Sequence, residues 1–260
     1  MEKLEIKDVS QKNVDDLINL CIPAERSSDP QFIEGANAKR KWAAETLKSC
    51  GNIAKLAYLN SKPVGLIQYR LDSEEKVVEI NCIFVPDKTN LRKGIGKSLL
   101  KAMMKDIVKP QPLFNDEIPN AVVTRAFEVP ERYPQHEFYR RMGFIRVKAD
   151  DPFLLYYSLK EGYVYQPKER EYIPQKDDEE KALIFYDPSC PWETKFAYAT
   201  ERSIREVTPD IPIRRINKFE EPEEVKRRGQ VPFCVVNGKA IQTFFMNKEN
   251  FQKEVRNALN

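Results

Sequence analysis

The stretch VVEINCIFVPDKTNLRKGIGKSLLKAMMKDIV, residues 77–108, limits the fold more than any other part of the chain. It opens with an apolar, β-branched run that reads as a buried strand. It closes with Ile95, Leu99, Leu100, Met103 and Ile107 on one face at helical spacing, which predicts an amphipathic helix lying on a sheet. The connection holds Gly94 and Gly96, in a chain with only nine glycines among 260 residues. Two glycines there predict a backbone that something must approach closely. A strand, a glycine-bearing turn and a helix N-terminus together suit an anion, because the first N–H groups of a helix lack intrahelical partners and carry the positive end of its dipole. Arg92, Lys93 and Lys97 add charge to the turn. The dinucleotide fingerprint lacks its third glycine and the P-loop pattern is incomplete, so neither of those phosphate sites is indicated. A tight turn with a solvated basic rim is the other reading of the same residues.

Strand and helix patterns alternate around this segment. LEIKDV, IAKLAYL, VGLIQYRL, AVVTRAFEV and FLLYYSL read as strands, the second and third joined by the turn NSKP. VDDLINL, NAKRKWAAETLKSC and HEFYRRMGF read as helices, the last ended by Gly143. One mixed twisted sheet flanked by helices accounts for residues 1–160. Residues 161–180 turn polar and proline-containing, with an acidic end; this is a linker or a wrapped connection, and Tyr163, Tyr165 and Tyr172 favour the second. From 181 to 260 the order restarts as strand, helix, strand, helix, hairpin and helix, the hairpin turning at Asn237-Gly238. The expected class is α/β (α+β), with one domain at 1–160 and a smaller α/β domain at 181–260.

Composition narrows the functions. Lys+Arg at 43 nearly balances Asp+Glu at 40, for a net charge of +3, so no global attraction to nucleic acid is expected. No stretch approaches the roughly 20 apolar residues that cross a bilayer, and MEKLEIKDVS has no signal-peptide core, so a cytoplasmic location away from membranes is expected. Cys21, Cys50, Cys82, Cys190 and Cys234 are scattered and form no CxxC pair, which fits a reducing compartment. His136 is the single histidine, so a catalytic zinc site built on two or three histidines is ruled out.

INCIFVPDKTNLRKGIGKSLLKAMM resembles the acetyl-CoA motif of the GNAT superfamily of N-acetyltransferases, and FYRRMGF resembles that superfamily's tyrosine-bearing motif, in the expected order and spacing. The resemblance runs from Leu4 to Leu159. It implies acetyl-CoA as co-substrate and direct attack on the thioester by a primary amine of a small molecule or peptide. The backbone of Ile83, Phe84 and Val85 matches the positions that pair with pantetheine. Arg92, Lys93, Gly94, Ile95, Gly96 and Lys97 match the pyrophosphate loop. Two departures stand out: Leu91 takes a position usually held by Gln or Arg, and the asparagine common upstream of the tyrosine is absent, with Arg132 near its place. Tyr139 matches the general acid, and a core tyrosine is its plainer reading. Glu79 is the candidate base acting through water, with Glu128 second; a solvent-facing strand glutamate is the alternative. Acceptor pockets are expected around residues 21–36 and 129–136, and a non-catalytic CoA-binding module is an alternative function.

Residues 181–260 resemble the thioredoxin/glutaredoxin fold. Cys190 stands at the first strand–helix junction with Pro191 in the first helical turn. Val231-Pro232 stands where that fold carries a cis-proline. A cysteine at a helix N-terminus is expected to have a lowered pKa. Glu193 occupies the usual resolving position, which excludes dithiol exchange by that pair. A monothiol cycle, a small-thiol partner, pairing with Cys234, and a retired site kept for packing remain open. Cys190 is therefore the redox candidate, and a thiol-dependent oxidoreductase or thiol-binding protein is a second function. The two-domain order resembles the YoaP-like acetyltransferases.

Overall fold

The computed structural model describes residues 3–128, 132–168 and 171–260. Two units emerge from its packing: Met1–Leu20 with Ala44–Lys168, and Cys21–Ala43 with Glu169–Asn260.

The strands of the first unit are β1 (Leu4–Asp8), β2 (Ala54–Leu59), β3 (Lys62–Asp72), β4 (Val77–Phe84), β5 (Ala121–Arg125), β6 (Ile145–Arg146) and β7 (Leu154–Ser158). They form one sheet in the order β1-β2-β3-β4-β5-β7-β6. Neighbours are antiparallel except β4 and β5, which run parallel from Val77↔Ala121 to Ile80↔Thr124. Asn60 and Ser61 join β2 to β3 at φ 49° and 67°, the primed turn that follows the strand twist. Of the helices α1 (Val14–Asn19), α2 (Pro30–Cys50), α3 (Ile95–Ile107) and α4 (Gln135–Arg141), α3 supplies the crossover that a parallel pair requires. The predicted stripe of α3 is buried in full, in one core with Ile67, Val78, Ile80, Val122, Tyr139 and Phe144. Val77, Val123, Tyr156 and Tyr165 form a separate cluster, as the alternation of side chains along β4 and β5 requires. Tyr165 shows why the polar stretch after residue 160 wraps: it is buried, and its hydroxyl donates to Glu75 at 2.6 Å.

In the second unit β8 (Ala182–Tyr186), β9 (Ile213–Asn217), β10 (Cys234–Val236) and β11 (Lys239–Ile241) form a sheet in the order β11-β10-β8-β9. The β8–β9 pair is parallel, and β10 is antiparallel to both β8 and β11. Its helices are α5 (Pro191–Arg205), the short α6 (Pro222–Lys226) and α7 (Lys248–Leu259). Ala197 and Ile204 of α5 and Phe251 and Val255 of α7 pack with Ala182, Ile184 and Val236. Asn237 and Gly238 turn the hairpin at φ 49° and 71°, as their sequence predicts. No described peptide bond is cis, so Val231–Pro232 is trans, against the expectation.

Residues 21–43 pack in this second unit, although their sequence reads as continuous with the first sheet. Gly35 explains the packing. A Cβ there would lie 2.8 Å from the Pro191 carbonyl oxygen and 3.0 Å from its Cα, so only glycine lets α2 lie against the first turn of α5. Phe32, one turn earlier, sets its ring edge-to-face on Trp192 with centroids 4.8 Å apart. Among the described residues no helix is long and apolar enough to cross a membrane.

Candidate functional site

Beyond β4 the chain turns through Asp87, whose carboxylate accepts from the Thr89 N–H at 2.8 Å and its hydroxyl at 2.7 Å. Those donors hold the Asp87 carboxyl below its ordinary pKa. Arg92 and Gly94 both take left-handed backbone, φ 62° and 78°, and Gly94 caps α3. The first helical bond runs from Ser98 N–H to the Gly94 carbonyl at 2.9 Å. The N–H groups of Ile95, Gly96 and Lys97 precede that bond and have no acceptor within the helix. Arg92, Lys93, Gly94 and Lys97 are exposed, and a Cβ on Gly94 would meet nothing within 4 Å. Open space therefore fronts a row of donors at the positive end of a helix, with three cationic side chains nearby. Gly96 plays a different part: its Cβ would rest 3.6 Å from the Phe138 ring and 3.8 Å from Ile83, in ordinary contact. Of the two glycines that read as a pair in the sequence, the loop conformation requires only Gly94.

Above this loop the sheet opens. Pairing of β4 with β5 ends at Ile80–Thr124, after which β4 stays with β3 and β5 stays with β7. The β3–β4 register shifts between Gln68 and Tyr69, leaving Asn81 as an extra residue that bends β4. Ile83 and Val85 follow on the parted edge, and their carbonyls are satisfied by side chains. Ile83 O accepts from Gln135 Nε2 at 3.2 Å, and Arg132 donates to Val85 O at 3.0 Å and Pro86 O at 2.6 Å. Neither role is visible in the sequence, where Arg132 stands out only as the residue near a missing asparagine.

Tyr139 is 1% exposed and packs on Phe138 and Phe144. Burial drives its phenol well above the ordinary pKa, against a hydrogen bond with Thr124, while Cys82 adds to the rise. The Thr124 hydroxyl donates its proton to Ile80 O at 3.1 Å, at the last paired rung before the strands part. Tyr139 thus lies beside the opening, as a neutral phenol. Glu79, one residue before Ile80, sits on the other face of β4 by strand alternation, with Arg70 Nε donating to it at 2.7 Å. Glu128 is exposed, and its carboxylate lies 4.0 Å from His136 Nδ1. The His136 side chain is largely buried, edge-to-face on Phe153. Of the expected acceptor loop at 129–136, residues 129–131 lie outside the described residues.

Cys190 is the N-cap of α5, as its sequence predicts. Its thiol is not lowered. Burial pushes it up to about 12, the Cys21 thiol adds to the rise, and Lys39 opposes it. Loss of hydration outweighs the helix dipole here because the first turn of α5 is covered. Cys234 lies buried in β10, where burial also raises its thiol.

The sequence profile of the acetyltransferase (GNAT) family matches residues 14–144, half of the chain. No protein of curated function matches the chain. Among solved structures, the PaiA N-acetyltransferase of Thermoplasma acidophilum, in complex with coenzyme A, is 17% identical at a TM-score of 0.42, covering 60% of this chain and 99% of that one. Naa50 of Arabidopsis thaliana, in complex with the bisubstrate analogue CoA-Ac-MVNAL, is 20% identical at 0.41, covering 60% and 99%. A Pyrococcus horikoshii chain is 16% identical at 0.40, covering 55% of this chain and 43% of that one.

Proposed function

The chain belongs to the acetyltransferase (GNAT) family, and from that membership we propose that it moves the acetyl group of acetyl-CoA to a primary amine of a small molecule or peptide, by direct attack in a ternary complex. The observation that carries this reading is the parting of β4 from β5 next to a left-handed Gly94 and the free N–H groups that begin α3. A pyrophosphate fits the open space before Gly94, Ile95, Gly96 and Lys97, with Arg92, Lys93 and Lys97 supplying charge. Pantetheine would pair with the edge from Ile83 through Phe84 to Val85, in exchange for the side chains of Gln135 and Arg132. When bound, acetyl-CoA supplies an activated acyl carbon and a thiolate leaving group.

The residues of this chain then have two tasks, placement and proton transfer. Tyr139 keeps its proton through neutral pH because burial disfavours the phenolate, so it is suited to donate to the departing sulfur and not to act as base. Glu79 faces the opposite side of β4 and takes the proton of the incoming ammonium, which displaces Arg70 from the carboxylate. The amine and the leaving group are thereby served from opposite faces of the parted strand.

The second unit is read as a thioredoxin-like domain, as in the YoaP-like acetyltransferases. Its parallel β8–β9 pair joined through α5, followed by the β10–β11 hairpin and α7, supports this. Five scattered cysteines with no CxxC pair support a reducing, cytoplasmic location. The test is calorimetric titration with acetyl-CoA, followed by mass spectrometry of acetylated products from a panel of small amines and peptide N-termini. Binding with transfer to at least one amine is expected; binding with no transfer across the panel would reduce the chain to a CoA-binding module, and no binding would overturn the proposal.

A further inference from the structure

Beyond the last rung that pairs β4 with β5, one side chain still joins the two strands. Ile83 lies three residues past Ile80, and Phe127 three residues past Thr124. Ala126 N–H donates to Phe153 O at 2.8 Å, on the β7 side, so the N–H of Phe127, next along an extended chain, turns toward β4. Gln135, the first residue of α4, accepts from that N–H through Oε1 at 3.3 Å and donates through Nε2 to Ile83 O at 3.2 Å. Only this orientation of the carboxamide satisfies both strands, because Phe127 N–H can only donate and Ile83 O can only accept. The side-chain amide therefore takes the place of a missing ladder rung, with its acceptor turned to β5 and its donor to β4. It fills the opening without making it. Asn81 bends β4, and β5 stays with β7, so the strands part whether or not Gln135 is there.

We infer that Gln135 is an internal competitor for the pantetheine arm of acetyl-CoA: its carboxamide holds the amide position between Ile83 and Phe127 and swings out when an amide of the arm enters. This inference rests on the acetyl-CoA reading above. A secondary amide offers the same two groups, a C=O for Phe127 N–H and an N–H for Ile83 O. Exchanging one amide for the other conserves both hydrogen bonds and leaves neither strand group without a partner. The two bonds that Gln135 makes are at the long end of the N–H···O range, and Phe127 is 44% exposed, so the displaced carboxamide loses little by turning to water. The consequence is a lowered apparent affinity, because only the fraction of chains with the slot open can take the arm. Gln135 also makes the slot selective. A ligand that brings an amide restores what it displaces, and one with the phosphate end alone neither needs nor moves it.

The experiment is calorimetric titration of the full chain and of two variants with two probes, coenzyme A and 3′-phospho-ADP, which keeps the pyrophosphate and lacks the pantetheine arm. Gln135→Ala removes the competitor. Gln135→Asn keeps a carboxamide that is one methylene too short to span both strands, so it decides the matter if the alanine variant does not fold. Both variants should bind coenzyme A more tightly than the native chain, by at least about threefold, and 3′-phospho-ADP with unchanged affinity. A merely structural role for Gln135 would not separate the two probes. Coenzyme A binding that is unchanged or weaker in the variants, while the native chain binds it, would overturn the competitor and leave the acetyl-CoA reading standing. An equal gain for 3′-phospho-ADP would also overturn it, since the effect would then lie outside the slot. No binding of coenzyme A by the native chain would overturn both.

Discussion

Replacing Gly94 by alanine separates the two things a loop glycine can do. At φ 78° an alanine methyl meets no atom within 4 Å, so the cost to folding is conformational alone. Holding a non-glycine residue in left-handed backbone costs about 1 kcal/mol, which lowers the melting temperature of a unit this size by about 2–4 °C. The methyl also stands in the open space before the donors of α3, where a pyrophosphate would approach. Acetyl-CoA affinity should therefore fall by at least about tenfold, about 1.4 kcal/mol. Gly96→Ala is the paired control. Its methyl lands in ordinary contact with Phe138 and Ile83, and alanine favours a helix interior by about 1 kcal/mol over glycine, so stability should hold or rise and affinity should stay within about twofold. Calorimetric titration with acetyl-CoA and thermal unfolding of both variants read out the comparison. Native affinity in Gly94→Ala would refute the assignment of the cradle, and an equal loss in Gly96→Ala would show that the argument from Cβ positions is wrong.

Tyr139→Phe keeps the buried ring and removes the proton; kcat should fall well over tenfold with little change in KM or melting temperature, since a transition-state donor is lost and packing is not. The raised folded pKa of Tyr139 also means that its contribution to stability is present below the unfolded value of about 10 and is lost as pH rises toward the folded one, so alkaline unfolding should shift to higher pH in Tyr139→Phe. Arg132→Lys can satisfy Val85 O or Pro86 O but not both in the same geometry; KM for acetyl-CoA should change more than melting temperature, and equal loss in both would make Arg132 a purely structural anchor. In the second unit Asp178 is fully buried against Arg228 and accepts from Tyr172 at 2.5 Å and Gln175 N–H at 3.0 Å; burial raises its carboxyl, and these partners together outweigh burial and hold it low. Its stabilisation is present above the unfolded value of about 3.9 and lost as pH falls through the lower folded value, and Asp178→Asn should cost about 3–5 kcal/mol in denaturant unfolding.

What the sequence made legible was local. The strand, left-handed turn and helix of residues 77–108 depend on periodicity and on glycine, and Asn237-Gly238 turns as its residue types require. What it hid depended on long-range neighbours. The carbonyls of Ile83 and Val85 belong to a strand edge that the family resemblance implies, but no pattern says that Gln135 and Arg132 reach them. The packing of α2 and the raised Cys190 thiol have one cause. Sequence pattern starts the helix at Asn37 and reads residues 21–36 as loop around an acceptor pocket, whereas α2 begins at Pro30 and its Gly35 lies against Pro191. The same omission leaves the first turn of α5 open to water in the sequence reading, where a helix dipole would lower the Cys190 thiol. Once Gly35 brings α2 down on Pro191, the first turn of α5 is covered and the dipole at Cys190 is overruled by desolvation.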